Sequence, residues 1–184
     1  MIKAKRTGTK VTTGKVRLSY AHLFEPQSIN GGDAKYSVSV IIPKSDKDTL
    51  KAIKEAVDEA KEVGKTKWNG KIPANLKTPL HNGDDDRPDD EAYANSYFLN
   101  ANSNNKPGVV DQNVQPILDA TEVYSGCYAR VTLNFFAFNA AGNRGIGCGL
   151  GNVQKLAEGD PLGGFTRAED DFEAVESAED DFLG

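Results

Sequence analysis

The chain is poor in the residues that catalysis, metal binding and cross-linking require. It has two cysteines in 184 residues, Cys127 and Cys148. Both lie in apolar alternating segments without a CxxC or Cys/His companion, so reduced, buried packing is expected rather than a disulfide framework or a zinc site. The two histidines, His22 and His81, have no triad-like companions, and no nucleophile motif surrounds any serine or cysteine. The glycines at 145–151 are followed by no Walker lysine and no strand-to-helix turn, so they are not a phosphate-cradling loop. No enzyme, cofactor or metal site is therefore expected. No apolar run approaches the ~20 residues of a membrane span. The opening Met1-Ile2-Lys3-Ala4-Lys5-Arg6 leads into no apolar signal segment, so the chain is expected to stay in the compartment where it is made. One further absence is local: the last seventeen residues contain no base.

Those seventeen residues carry eight acids and the phrase Ala168-Glu169-Asp170-Asp171-Phe172, repeated as Ala178-Glu179-Asp180-Asp181-Phe182. Residues 1–167 hold all 22 Lys and Arg against 19 acids, a balance of +3, and residues 1–77 alone have 16 bases and 8 acids. The net charge of −5 thus hides a basic half. An acidic tail with isolated aromatics behind a basic domain suits a protein that binds nucleic acid and hands it on. The tail can occupy the basic groove in place of phosphate, or present its aromatics to a partner. The plainer alternative is a solvated tail that only aids solubility.

Alternation predicts a strand over Thr9–Phe24, with Val16, Leu18 and Tyr20 on one side and Lys15, Arg17 and Ser19 on the other. A second strand is expected at Lys35–Ile42. Ser45 and Asp48 have capping-box spacing, and Leu50, Ile53, Val57 and Ala60 form the apolar stripe of one helix over 46–63. Residues 64–92 read as a long loop with an acidic cluster at 84–91, solvated rather than metal-binding because it lacks EF-hand spacing. Short strands follow at Tyr93–Asn102 and Val109–Val110, then a hairpin of Gly126–Asn139 with Arg144–Lys155. This order predicts a mainly β chain: a five-stranded OB-fold barrel with one inserted amphipathic helix, a β-sandwich being the alternative. The domain is expected over residues 1–158, with a flexible, disordered acidic tail over 159–184.

The strand from Cys127 to Phe138 has a plain core face of Cys127, Ala129, Val131, Leu133, Phe135 and Ala137. Its other face carries Tyr128, Arg130, Thr132, Asn134, Phe136 and Phe138, a candidate platform for stacking bases. A second small core under the helix or loop is the competing reading. In the partner strand Gly145, Gly147, Gly149 and Gly151 share one side, leaving a groove for neighbouring rings or for a ligand. Lys10, Lys15, Arg17 and Arg130 are the candidate phosphate contacts. Tyr128, Phe136 and Phe138 are the candidate stackers, with Tyr97, Lys106 and Trp68 as secondary candidates. Trp68, flanked by Lys65, Lys67 and Lys71, either stacks on a base or anchors the long loop.

Several segments together resemble a known family: Tyr97-Phe98-Leu99-Asn100-Ala101, Lys106-Pro107-Gly108-Val109-Val110-Asp111, Tyr124-Ser125-Gly126, Phe135-Phe136-Ala137-Phe138 and Gly149-Leu150-Gly151-Asn152-Val153-Gln154-Lys155. With the closing Ala-Glu-Asp-Asp-Phe, the chain resembles the phage-encoded single-stranded-DNA-binding proteins, once filed as a domain of unknown function. The resemblance implies an OB-fold, sequence-tolerant binding of single strands in phage replication or recombination, and action in the cytoplasm of the infected bacterial host. It also implies that the tail recruits replication or recombination proteins, through Asp170, Asp171 and Phe172 and through Asp180, Asp181 and Phe182. A phage capsid or tail component without nucleic-acid binding is the alternative function.

Overall fold

Alternating apolar residues become strands whose inner faces share one core. In the computed structural model, which describes residues 2–28, 31–140, 142–162 and 172–175, the chain is mainly β with one long helix. A short N-terminal hairpin, β1 (Lys5–Thr7) and β2 (Lys10–Thr12), precedes β3 (Val16–Gln27) and β4 (Lys35–Pro43). The long helix α1 (Lys47–Val63) runs into a 3-10 turn at Gly64–Trp68. Next come β5 (His81–Asn82), the single-turn helix α2 (Gly83–Asp86) and a 3-10 turn at Glu91–Tyr93. β6 (Ser96–Ser103), β7 (Val109–Val110) and the hairpin of β8 (Tyr128–Ala140) with β9 (Asn143–Ala157) complete the order.

Five strands pair in a circuit. β8 pairs with β3, β3 with β4, β4 with β6, β6 with β9, and β9 returns to β8. All are antiparallel except β6–β9, which is parallel and rests on a single rung, Asn102↔Gly149. Val16, Leu18, Val38, Val40, Leu99, Val131, Leu133, Phe135 and Ile146 point into the shared core. At roughly 25 cal/mol per Å² of apolar surface removed from water, these side chains carry most of the folding drive. β2 extends the sheet beyond β8, with Lys10 opposite Asn134 and Val11 opposite Leu133.

Helix α1 closes one end of this core with Ala52, Ile53, Ala56, Val57 and Ala60. Its cap is Asp46, one residue later than the expected Ser45. The Asp46 carboxylate accepts the Thr49 amide at 3.2 Å and the Thr49 hydroxyl at 2.7 Å. At the other end of α1 the 3-10 turn docks on β8. Trp68, only 4% exposed, donates Nε1–H to the Phe138 carbonyl at 3.1 Å, and Lys67 Nζ donates to the Ala137 carbonyl at 2.8 Å. Trp68 therefore anchors the loop and has no free face for a base. Of the two positions the sequence left open, the structure has the anchoring one, where the large apolar ring is buried.

The segment expected as a plain loop is tied down by its acids. Asp84 accepts from Lys44 Nζ at 2.7 Å and from the Asn95 amide at 3.0 Å, and Lys44 holds its carboxyl below the usual aspartate range. Asp90 caps the 3-10 turn through the Ala92 amide. Tyr93 and Phe98 meet edge to face at 4.9 Å in a second small cluster with Ile41, and the Tyr93 hydroxyl bonds Ser39 Oγ at 3.1 Å. Gly83 makes this packing possible, since a Cβ there would lie 2.3 Å from the Tyr93 carbonyl oxygen. Cys127 and Cys148 are free and buried, and burial pushes both thiols up, away from thiolate chemistry.

Packed contacts continue a little past β9: Arg17 Nη2 donates to the Asp160 carbonyl at 2.7 Å, and the Leu162 amide bonds Ser125 O at 2.9 Å. Of the named tail residues, Phe172 is exposed, while Asp170, Asp171, Asp180, Asp181 and Phe182 lie outside the described residues. Trp68→Ala is expected to destabilise the fold by about 3–5 kcal/mol, the range for a buried large aromatic truncated to alanine, as read by urea unfolding. A loss below about 1 kcal/mol would place the ring outside the core.

Candidate nucleic-acid interface

With the inner alternation committed to the core, the outer alternation of β3, β4 and β6 is free to form a surface. Register aligns it in rows. Ser19 lies opposite Ser39 and Ser39 opposite Asn100, while His22 lies opposite Ser37 and Ser37 opposite Asn102. Beyond Asn100 towards Phe98, the Tyr93 cluster covers the face, so His22, Ser37, Ser39, Asn100 and Asn102 form the floor of an open cleft of about 650 Å³, while Ser19 is buried beside it. Tyr20, Arg87 and Lys35 stand around this floor.

Tyr20 is the residue that alternation misplaces. It was expected beside Val16 and Leu18, facing the core, but the β3–β4 register shifts between Ser19 and His22. At that irregularity Tyr20 takes φ 47°, in the left-handed region, and its side chain turns outward to 52% exposure. A β-bulge re-aims a side chain in this way, and a non-glycine residue held at positive φ marks strain of about 1–3 kcal/mol kept at functional surfaces. Arg87 fixes the ring. Its guanidinium lies 5.5 Å from the Tyr20 centroid, 5.2 Å from Tyr93 and 5.6 Å from Phe98, and Nη1 donates to the Tyr20 hydroxyl at 3.3 Å. Neither residue stood out in the sequence. Tyr20 fitted a core pattern, and Arg87 sits among acids that read as solvated.

The expected platform on β8 is divided. Tyr128 sits at one end, with Lys15 Nζ 4.9 Å and Arg17 Cζ 5.5 Å from its ring. Phe136 lies eight residues further on, roughly 27 Å along an extended strand. Arg130, between them, donates to the carbonyls of Thr13 at 2.9 Å and Lys3 at 3.0 Å, so it ties the N-terminal segment to β8. Arg17 is similarly engaged, donating to the Gly126 carbonyl at 3.0 Å as well as to Asp160. Guanidinium groups are drawn to clustered carbonyls at strand ends, which sequence spacing does not reveal.

The other end of β8 keeps an open surface. Phe136 is 43% exposed and rests its ring on Gly147, where a Cβ would meet Cζ at 2.6 Å. Phe138 is half-buried against Gly145, beside Lys77. The rings thus fill part of the glycine groove. Lys10 is exposed opposite Asn134. Tyr97 belongs to the other alternation, that of Leu99 and Ala101, and Lys44 Nζ caps its ring at 5.3 Å, so it is not part of the cleft. Lys106 Nζ lies 5.7 Å from the Phe24 ring.

Comparison with known proteins decides the family. A family model described as Enterobacter phage Enc34, ssDNA-binding protein, matches residues 9–183. The chain belongs to this family. It is a family of binding proteins and not of enzymes. Protein p50 of Acyrthosiphon pisum secondary endosymbiont phage 1 is 30% identical over 184 aligned positions, covering 95% of this chain and 98% of p50. The single-stranded DNA-binding protein of bacteriophage Enc34, solved in complex with ssDNA, matches with a TM-score of 0.70 and 26% identity, over 89% of this chain and 98% of its own. Gp2.5, the single-stranded DNA binding protein of bacteriophage T7, shares the fold at a TM-score of 0.61 and 17% identity, over 95% of this chain and 100% of its own. No helix among the described residues is long and apolar enough to cross a membrane.

Tyr20→Gly is expected to melt no lower than the parent chain. Glycine removes a left-handed strain of roughly 1–2 kcal/mol, which offsets the loss of a cation–π contact worth about 0.5–1 kcal/mol. A clear fall in Tm would make the ring a structural element rather than a displayed one.

Proposed function

We propose that this chain binds single-stranded DNA with little base preference, on an OB-fold barrel, during phage replication or recombination in the host cytoplasm. The observation that carries the reading is the outward, strained Tyr20 held by Arg87 over a polar cleft floor. A displayed ring offers a π-face to any base, and hydroxyl and amide groups beneath it bond base edges or sugars without demanding one sequence. The pairing circuit supports the barrel, with β3, β4, β6, β8 and β9 as its five strands. Its second and third strands are β4 and β6, whose outer face floors the cleft, and that is where OB-folds take oligonucleotides. Lys35 and Arg87 at the cleft and Lys10 on the β8 side are the cations placed to meet phosphate. Lys15, Arg17 and Tyr128 form a separate basic-aromatic group, a secondary contact for a longer strand.

Residues 1–158 form the binding domain in this reading, and 159–184 the acidic tail. The tail competes with DNA for the basic surface and presents Phe172 and Phe182 to replication or recombination proteins. Its charge is −8 against +3 for residues 1–167, and at a Debye length of roughly 10 Å in 0.1 M salt a tethered polyanion competes for a groove it reaches.

Fluorescence anisotropy with labelled oligo-dT and an equal-length duplex tests these statements. The parent chain is expected to prefer the single strand and to weaken as salt rises, because bound lysines release counterions. Tyr20→Gly is expected to lose about 5- to 150-fold in affinity, matching roughly 1–3 kcal/mol for one stacked base. Removing residues 168–184 is expected to tighten binding, most at low salt. Equal affinity for duplex removes the single-strand reading, and an unchanged Tyr20→Gly removes the ring from it.

A further inference from the structure

We propose that the bound strand does not end in the cleft but crosses the β6–β9 junction over Gly149 and continues onto the Phe136 face of β8. This rests on the cleft being the DNA site. The register places six outer-face positions in one row around the sheet circuit: His22 on β3, Ser37 on β4, Asn102 on β6, Gly149 on β9, Asn134 on β8 and Lys10 on β2. Each neighbouring pair in that row is a register partner, so the cleft floor and the β8 face form one continuous surface. Five inter-strand steps of about 4.8 Å make the row roughly 24 Å long when followed along the sheet.

Gly149 is the low point of this row. Only the Asn134 carbonyl oxygen, at 3.5 Å, and Phe136 Cε1, at 3.8 Å, lie within 4 Å of where its Cβ would stand. The row is walled on both sides. On one side the segment leading to β5 crosses the sheet: the Lys77 amide bonds Arg144 O at 3.2 Å, the Ile146 amide bonds Lys77 O at 2.8 Å, and His81 pairs with Phe98. On the other side the Gly108 amide bonds Asn152 Oδ1 at 3.0 Å and the Val153 amide bonds Gly108 O at 2.9 Å. Between these crossings the surface is a saddle without a side chain at its centre. An exposed phenylalanine lies along its far edge, and an exposed lysine, in no ion pair among the described residues, lies beyond. That sequence of a stacking ring, a polar passage, a second stacking ring and a cation fits a single-stranded polynucleotide, whose bases and phosphates alternate along the chain.

The test uses the full chain with two labelled oligo-dT probes, roughly 4 and roughly 16 nucleotides long, the limits of OB-fold site sizes. Gly149→Val puts a branched side chain on the saddle at a position where a Cβ meets only ordinary van der Waals neighbours. The long probe is expected to lose about tenfold in affinity while the short probe, seated in the cleft, is unchanged. Phe136→Ala removes the far ring, which borders the saddle, while leaving Gly149 itself unchanged, and is expected to give the same pattern, which keeps the test decisive if Gly149→Val misfolds. Long-probe affinity unchanged in both folded variants overturns the path and leaves the cleft reading standing. Equal losses on both probes also overturn it, by putting the primary seat on β8. Failure of the parent chain to bind either probe is a failure of the cleft reading itself, and is seen before any variant is made.

Discussion

The parallel rung between Asn102 and Gly149 is the constraint on which the outer surface depends. Everywhere else the circuit is held by antiparallel ladders, the longest being β8 with β9. β6 and β9 meet only here because their other outer positions are used. β5 pairs along the first half of β6, and the Lys77 segment bonds across the start of β9. One rung suffices because the core on the inner side, from Leu99 and Ala101 to Ile146, Cys148 and Leu150, holds the two strands together. Closing the circuit commits every inward residue of the five strands to packing. The proposed binding surface is left to the outer alternation, where the glycines of β9 make room for the Phe136 and Phe138 rings.

Charge is less freely available than the composition suggests. Arg6 is engaged with Glu55 at 3.1 Å and Glu59 at 3.3 Å, Lys44 with Asp84, Lys155 with Glu158, and Arg17 and Arg130 with backbone carbonyls. These contacts fasten the N-terminal hairpin, the β4–β6 loop and the segment after β9. The cations left facing outward along the row and cleft are few, so at the proposed site stacking and hydrogen bonding would carry a larger share of affinity than uniform phosphate attraction. In the proposed reading the same scarcity would let an eight-acid tail compete, since it outnumbers the cations placed at the cleft and along the row.

Strand alternation made β3, β4, β6, the β8–β9 hairpin and even the two-residue β7 legible in the sequence, because one face of each had to be apolar. Helix α1 was legible from its stripe, with its cap displaced by one residue. The single strand expected over Thr9–Phe24 is broken between Thr12 and Val16 into β2 and β3, and β1 was not legible, since its exposed residues follow no apolar alternation. Half of the candidate site was also hidden, for three separate reasons. A bulge reversed Tyr20, and alternation carries no sign of a register shift. Arg87 is placed by Tyr93 and Phe98, which follow it closely in sequence, and by Tyr20, which is distant in sequence and close only in the fold. Trp68, Arg17 and Arg130 look like ligand groups by type, but each found a carbonyl partner within the fold. Phe136 and Lys10 kept the outward placement that the alternation of β8 and the basic N-terminal segment suggested.

A backbone amide map of the binding surface tests the continuous row most directly. Titrating the isotopically labelled chain with oligo-dT and following its amide resonances is expected to perturb Tyr20, Ser37, Asn102, Gly149, Asn134 and Lys10 together, while the α1 amides stay in place. Perturbations confined to the Lys15, Arg17 and Tyr128 end of β8, with Tyr20 and Gly149 silent, would contradict the account.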